Sequence, residues 1–308
     1  MAALTEAEFI WKNGEFIPWA EATTHVLSHS LHYGSGVFEG IRCYEGEGKS
    51  HVFRLMDHME RLVRSCQIAQ IPLEYSAADL ADATIELIKK NNLPACYIRP
   101  IVYRGYGTMG VDPTDATVEV VIAVWPWGAY LGVDALENGI SVGVSSWRQR
   151  SVNAIPPAMK STASYMNSIL AKLEAKAHGY AEAVMLNEQG YVCEGTGENL
   201  FIVRDGIIST PPISDGVLEG ITRDTVLWLA DDLEIPVVEE SLTRADLYIA
   251  DEVFFTGSAA EVTPVGSVDE REIGKPGPIT KQLQERFFDM VAGKFEEYSN
   301  WLTEVPFA

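Results

Sequence analysis

Glu194-Gly195-Thr196-Gly197-Glu198-Asn199-Leu200-Phe201 sets two acids, two glycines and an amide between runs of strand formers. Packing alone does not call for that combination. Glycine lets backbone approach something closely, and the acids must then face that something or water. Glu194 and Glu198 stand four apart across glycines, so they have different surroundings. Either both are solvated loop acids, or one meets a cation while the other braces the loop. A buried carboxylate needs a partner or it takes up a proton. Upstream, Ala158-Met159-Lys160-Ser161-Thr162-Ala163 holds one basic residue among small ones.

Working outward, the second half reads as strands and helices in alternation. Residues 140–146 form a strand, followed by an irregular arm with Arg148 and Arg150 and a break at Pro156-Pro157. Residues 164–177 form a helix with Ile169, Leu170 and Leu173 on one side and Gly179 as its stop. A meander follows. Strands 183–186 and 191–193 flank Asn187-Glu188-Gln189-Gly190, and strands 200–203 and 207–209 flank Arg204-Asp205-Gly206. Residues 222–233 are a helix, 252–255 a strand, and 282–295 a helix that closes the chain.

The first half is also mixed. Phe9 to Ile17 is two short strands around Asn13-Gly14, the strongest short hairpin signal. Residues 55–68 carry Leu55, Met59, Leu62, Val63 and Cys66 at helical spacing, and 77–90 form a second helix. Residues 97–103 and 117–125 are strands. Trp125-Pro126-Trp127-Gly128-Ala129-Tyr130-Leu131-Gly132 has no clear period and breaks the pattern. The expected fold class is α/β (α+β) in two domains: 1–126, an interdomain loop over 127–136, and 137–308.

Composition narrows the function. The chain has 308 residues, is 47% hydrophobic and carries a formal charge of −21. That suffices for a core in more than one domain. Nucleic acid is excluded as a partner, because no basic face is available to phosphates. The acidity speaks to solubility or to a salty habitat. Cys43, Cys66, Cys96 and Cys193 are scattered, which reads as reduced thiols in a cytoplasmic protein, with no zinc site. The first residues do not form a secretory signal, and no apolar run reaches the length of a membrane span. His25, His29 and His32 cluster without metal spacing, so structural roles and no metal are expected. There is no Gly-x-Ser-x-Gly elbow, Walker loop or dinucleotide fingerprint.

Each remaining candidate has an ordinary reading beside a chemical one. Lys160 is a surface lysine, or a desolvated amine turned nucleophile by its apolar neighbours. Arg61, read by its local neighbours, is a solvated helix arginine paired with Asp57 or Glu60. Tyr97 and Arg99 alternate on a strand and share a face, which suits a carboxylate or an ion pair. Thr222 is an N-cap with Asp224 in the first turn, or the N–H groups of Ile221 and Thr222 hold a phosphate. Thr256-Gly257-Ser258-Ala259-Ala260 is a small-residue turn able to offer N–H groups to an anion. An amine for a Schiff base and an acid for a pyridine nitrogen are what pyridoxal phosphate asks of a protein, and Lys160 and Glu194 are of those types.

Taken in order, seven stretches make the chain resemble the branched-chain amino acid aminotransferases, fold type IV (class IV) pyridoxal-phosphate enzymes. They are His32-Tyr33-Gly34 with Val37-Phe38-Glu39-Gly40-Ile41-Arg42, Tyr97-Ile98-Arg99-Pro100, Pro126-Trp127-Gly128-Ala129-Tyr130, Lys160, the Glu194–Phe201 stretch, Gly220-Ile221-Thr222-Arg223, and Gly257-Ser258-Ala259-Ala260-Glu261-Val262-Thr263-Pro264. The match runs over essentially the whole chain. It implies a small N-terminal α/β domain and a larger barrel-like α/β domain with the cofactor between them. It implies that Lys160 carries pyridoxal 5'-phosphate as a Schiff base and shuttles the α-proton, passing the amino group through pyridoxamine phosphate. By the same resemblance Glu194 pairs with the pyridine nitrogen and Tyr165 approaches the phenolic oxygen. Arg61, Ile221, Thr222 and Ser258 hold the phosphate, with Leu218 also at the cofactor; many relatives have Thr where this chain has Ser258, and the hydroxyl is kept. Tyr97 and the backbone at Ser258-Ala259 take the α-carboxylate. Phe38, Trp127, Tyr130 and Tyr165 wall an apolar pocket, and Arg99 takes the distal carboxylate of glutamate. Tyr33, Met109 and Val111 come from a neighbouring subunit, which implies a homodimer or higher oligomer.

The implied reaction is reversible amino transfer between L-leucine, L-isoleucine or L-valine and 2-oxoglutarate. The alternatives within the fold are a D-amino acid or R-amine transaminase and an aminodeoxychorismate lyase. Outside it stands a non-catalytic relative that binds the cofactor as a regulator, against which Lys160, Glu194 and Arg61 argue together.

Overall fold

The computed structural model describes residues 4–46, 49–128 and 133–307. The chain forms two compact units: Met1–Gly128 with Met159–Ala163 and Asp289–Ala308, and Ala129–Ala158 with Ser164–Phe288. The sequence led instead to two continuous domains, 1–126 and 137–308, joined by a loop over 127–136. The short piece carrying Lys160 and the C-terminal residues both return to the first unit, because each finds strand partners there.

The first unit begins with β1 (Phe9–Lys12) and β2 (Glu15–Pro18), joined at Asn13-Gly14. These two residues have φ of 50° and 96°. A tight hairpin turn that follows the twist of its strands requires positive φ at both positions. Five further strands follow: β3 (Gly36–Phe38), β4 (Ile41–Glu45), β5 (Ser50–Phe53), β6 (Cys96–Arg104) and β7 (Val118–Trp125). The sheet order is Leu302–Val305, β5, β4, β6, β7, β1, β2, with β3 also on β6. All its pairs are antiparallel.

Helices α1 (His29–Tyr33), α2 (Leu55–Ile68) and α3 (Ala77–Lys90) complete the unit, the last two at the boundaries expected. Ser76 caps α3, its N–H donating to Asp79 Oδ2 at 2.8 Å and its Oγ accepting from the Asp79 N–H at 3.2 Å. Leu55, Met59, Leu62 and Cys66 on α2 and Leu80, Leu87 and Ile88 on α3 meet Ile41, Val52, Ile98, Ile122 and Val124 of the sheet. Each such fully buried side chain contributes roughly 1.5–3 kcal/mol. The core therefore fixes which face of α2 turns inward, and Arg61 lies on that face.

The second unit contains α4 (Val133–Asn138), β8 (Ile140–Arg148), α5 (Tyr165–Ala177), β9 (Glu182–Leu186), β10 (Asn199–Arg204), β11 (Ile207–Thr210), α6 (Ile221–Asp232), β12 (Val237–Glu239), α7 (Arg244–Tyr248), β13 (Glu252–Gly257), β14 (Glu261–Val268), β15 (Arg271–Glu272) and most of α8 (Pro278–Val291). Its mixed sheet runs β12, β11, β10, β13, β14, β8, β9. Val142, Val184, Leu200, Ile202, Val253, Phe255 and Val265 form its core.

Several expectations are corrected. Part of the 127–136 segment is helical, as α4, and Tyr130 lies outside the described residues. Residues 191–193 form isolated bridges, Tyr191 with Thr243 and Val192 with Leu186, instead of a strand. On α5 the supposed inner side faces out: Ile169 and Leu173 are exposed, while Ala171 and Ala175 are buried. Small residues let that helix approach the sheet closely, which apolar spacing alone does not reveal. The last helix starts earlier than expected because Glu252 reaches its N-terminus, accepting the Thr280 N–H at 2.7 Å and the Ile279 N–H at 3.2 Å. The chain does not end there. A 3-10 turn over Glu296–Trp301 leads into Leu302–Val305, which pairs with β5.

Candidate active site

In the first unit, Lys160 is fastened by its backbone. Its carbonyl accepts the Phe38 N–H at 3.0 Å, and its N–H donates to Ser65 Oγ at 3.3 Å. Next to it, Ser161 bridges Val37. Lys160 is half-buried, and its Nζ stands 5.4 Å from the centre of the Phe38 ring. It is not an ordinary solvated lysine.

From Phe38 the aromatic surface continues. The Arg99 guanidinium lies 4.7 Å from the Phe38 ring and 5.3 Å from the Tyr97 ring. Its Nη2 donates to Tyr97 Oη at 3.2 Å, and its Nε is buried with no hydrogen-bond partner among the described residues. Tyr97 packs edge-on against Trp127 at 4.4 Å. Arg42 holds the Trp127 carbonyl at 3.2 Å and the Gly128 carbonyl at 2.5 Å. Gly40 is required here, since a Cβ on it would lie 2.0 Å from Tyr97 Oη. Phe38, Tyr97, Arg99 and Trp127, chosen from separate stretches of sequence, thus form one surface.

The ordinary reading of Arg61, a solvated arginine paired with Asp57 or Glu60, does not hold. Arg61 is buried, and the completely buried Glu39 takes its Nε at 2.6 Å and its Nη2 at 2.8 Å. Glu39 also accepts from His58 Nδ1 at 2.8 Å. Burial alone would raise the Glu39 pKa, but Arg61 and then His58 outweigh it and hold the carboxyl well below the usual carboxylate range. Burial pushes His58 down, against Glu39, with Arg61 and Lys160 adding to the fall. The cluster is an ionised carboxylate between a guanidinium and a neutral imidazole. Glu39 and His58 were missed as partners. Their signal was a carboxylate in the stretch Val37-Phe38-Glu39-Gly40, with no hint of what it met.

Tyr33, Met109 and Val111 do come together. Tyr33 Oη accepts the Gly110 N–H at 3.2 Å, and the Gly110 carbonyl accepts from His29 Nε2 at 2.8 Å. All three are exposed. His25 Nδ1 accepts the Leu27 N–H at 3.0 Å, and His32 Nε2 meets the Val26 carbonyl at 2.8 Å. No cluster of metal-binding residues is found among the described residues.

In the second unit, Glu194 Oε1 accepts from Gln149 Nε2 at 2.6 Å. Its Oε2 accepts the Leu218 N–H at 3.0 Å and Asn199 Nδ2 at 3.3 Å. Three N–H donors on two oxygens suit an ionised carboxylate. Glu198 is the brace: it is buried, and its Oε2 accepts the Gly197 N–H at 3.0 Å. Asn199 is the hub that sequence reading missed. Its Nδ2 also donates to the Leu218 carbonyl at 3.0 Å, and its backbone pairs with Thr256. A Cβ on Gly220 would lie 1.9 Å from its Oδ1. Arg150 donates to Gln149 Oε1 at 3.3 Å, and its Nε is buried without a partner among the described residues. Burial lowers its pKa, against Glu194 and Tyr165, so a cation stands beside both.

The stretches expected to meet an anion lie near Asn199. Helix α6 begins at Ile221, with Gly220 and not Thr222 as the N-cap and no capping side chain. Thr222 is therefore inside the first turn, where N–H groups have no partner within the helix. The turn Gly257–Ala260 brings half-buried Ser258 and Ala259, and the Cβ position of Gly257 lies 3.5 Å from the Gly197 carbonyl. Thr256 Oγ1 is buried with no partner among the described residues.

An amine in one unit, and in the other a donor-ringed carboxylate and a helix start whose N-cap is Gly220, are the groups a pyridoxal phosphate enzyme uses. The Thr256 hydroxyl with no partner among the described residues, the Gly220 contact that admits no side chain and the donor set around Glu194 all fit that group.

Comparison with known proteins carries the assignment further. Residues 36–268 match the family described as Amino-transferase class IV. The chain is 48% identical to the branched-chain-amino-acid aminotransferase of Escherichia coli, over 97% of this chain and 98% of that one. A crystal structure of the Escherichia coli branched-chain amino acid aminotransferase superposes with a TM-score of 0.96 at 47% identity, covering 98% of this chain and 100% of the other. The Thermoproteus uzoniensis branched-chain aminotransferase with norvaline gives 0.94 at 46% identity, covering 97% and 100%. The chain belongs to the class IV aminotransferases. It is an aminotransferase whose cofactor is pyridoxal phosphate.

Proposed function

We propose that this enzyme exchanges the amino group between branched-chain L-amino acids and 2-oxoglutarate. The observation that carries the reading is the surface of Phe38, Tyr97, Arg99 and Trp127. Apolar rings favour a branched aliphatic side chain by excluding water from it. The Nε of Arg99, buried with no partner among the described residues, offers a charged donor to the distal carboxylate of glutamate. The full-length likeness to enzymes named for branched-chain amino acids supports the same substrates.

When bound, pyridoxal phosphate withdraws electrons from the substrate's α-carbon. The residues do the rest. Lys160 Nζ takes the α-proton and returns it. The Glu194 carboxylate, held by Gln149, Leu218 and Asn199, keeps a proton on the pyridine nitrogen. Tyr165, with cationic Arg150 beside it, would serve the cofactor's phenolic oxygen. Arg61, the first-turn N–H groups of Ile221 and Thr222, and Ser258 would hold its phosphate. Tyr97 and the Ser258-Ala259 backbone take the α-carboxylate.

The exposed Tyr33, Met109 and Val111, with the outward Met166, Ile169 and Leu173 of α5, support a homodimer or higher oligomer. The four buried free cysteines fit a cytoplasmic location. Among the described residues no helix is long and apolar enough to cross a membrane.

The test is the absorption spectrum of the purified enzyme with L-leucine alone and then with 2-oxoglutarate. Conversion of the cofactor to its amine form by L-leucine, with reversal by 2-oxoglutarate, is expected. Indifference to L-leucine with a response to D-alanine or an R-amine would overturn the substrate assignment.

A further inference from the structure

We infer that Glu39 is a positioning residue that fixes the span between the Lys160 amine and the Arg61 guanidinium, and thus between the two ends of the cofactor. The inference rests on the reading above that Lys160 takes the aldehyde end and Arg61 the phosphate end.

The contacts form a closed ring within the first unit. The Phe38 N–H at the end of β3 holds the Lys160 carbonyl at 3.0 Å. The next residue, Glu39, reaches α2 and takes His58 at 2.8 Å and Arg61 at 2.6 and 2.8 Å. These two residues are one helical turn apart, so a single carboxylate meets both. One turn beyond Arg61 on the same helix, Ser65 Oγ accepts the Lys160 N–H at 3.3 Å. Lys160 is therefore tied to β3 on one side and to α2 on the other, and Glu39 ties β3 to α2. Its own N–H donates to the Pro100 carbonyl at 2.9 Å, which anchors it to β6 as well.

Arginine chemistry explains why the clamp is bidentate. Two parallel N–H donors on one carboxylate fix the plane of the guanidinium as well as its place. A phosphate that binds Arg61 meets a guanidinium whose rotamer is already set, so little freedom is lost on binding. His58 occupies the same carboxylate from the other side and stops it from swinging. A hydrophobic cluster of the same volume would pack α2 on β3 without holding Arg61 in one orientation.

The experiment compares pyridoxal phosphate with pyridoxal, which lacks the phosphate. Binding of each to the full-length chain, with cofactor exchanged by dialysis, is followed by the visible band of the Lys160-bound form. Glu39→Gln removes the charge, and Glu39→Asp keeps the charge but draws the carboxylate back by one methylene. The second variant keeps a negative charge near Arg61 while breaking the bidentate contact, and so protects the test from a folding failure of the first. The expected result is a roughly tenfold or larger loss of preference for the phosphorylated form, the size seen when the partner orienting a ligand-binding side chain is removed. Pyridoxal binding itself stays unchanged. Equal weakening toward both compounds in Glu39→Asp means a merely structural role and overturns the inference, as does an unchanged preference. Arg61→Ala separates the two layers: if it keeps the wild-type preference, the reading of Arg61 as the phosphate ligand fails first. If Arg61→Ala loses the preference and both Glu39 variants keep it, only the role of Glu39 fails.

Discussion

Replacing Glu198 with glutamine removes one titration while leaving the shape of its loop. Glu198 is buried and packed near Glu182, which is itself fully buried and engaged by Lys172, Thr196 and the Ala183 N–H. Burial first, and then the Glu182 charge, push Glu198 up to about 8 from its ordinary 4.5. Between these two values the folded protein keeps a proton that the unfolded chain has lost. The folded state thus binds more protons, and stability falls as pH rises through that window. The slope is about 1.4 kcal/mol per pH unit. From about pH 5.5 to pH 8 that amounts to about 3 kcal/mol. Glutamine keeps an acceptor for the Gly197 N–H and cannot ionise, so Glu198→Gln lacks this loss. Thermal melts of both proteins across the window should diverge, with the variant gaining roughly 6–12 °C over wild type toward high pH. Infrared spectra should show the C=O stretch of a protonated carboxylic acid at neutral pH in wild type and its loss in the variant. Melting curves that stay parallel at all pH values, with no such band, would refute the reasoning.

Gly40→Ala places a methyl 2.0 Å from Tyr97 Oη and must displace it. We expect kcat/KM to fall on the order of 10²-fold, as for an ångström-scale misplacement, with the fold intact by circular dichroism. Gly220→Ala drives Asn199 away from Glu194 and Leu218, and steady-state melts should show a loss of about 1–3 kcal/mol. In Glu194→Ala, Lys160 should still bind the cofactor, while turnover falls at least on the order of 10²-fold, as when one preorganised electrostatic group is lost. Normal single-turnover rates with L-leucine in that variant would remove the assignment.

Much of the frame was legible before any coordinates. The α2 and α3 boundaries coincide with those expected because each helix has a local period and, at α3, a local cap. The hairpin at Asn13-Gly14 is likewise a local matter of left-handed backbone. The residues proposed to carry the chemistry, Lys160, Glu194, Tyr97 and Arg99, also stood out, since each is a polar group in a stretch that packing alone does not explain.

What sequence could not supply were partners far apart along the chain. Arg61 looked solvated because its local neighbours, Asp57 and Glu60, were obvious, yet the carboxylate that holds it is Glu39 on another element. Glu194 draws its donors from residues 149, 199 and 218, which only the folding of the second unit brings to one point. The start of the last helix depends on Glu252, and the outward face of α5 depends on how closely its alanines meet the sheet. Local backbone preference and the periodicity of apolar residues are written in consecutive residues, so the sequence by itself determined the elements and the kinds of group available. Electrostatic pairing and burial depend on distance in space, so only the tertiary structure decided which carboxylate stays charged, which keeps its proton and which arginine is held still.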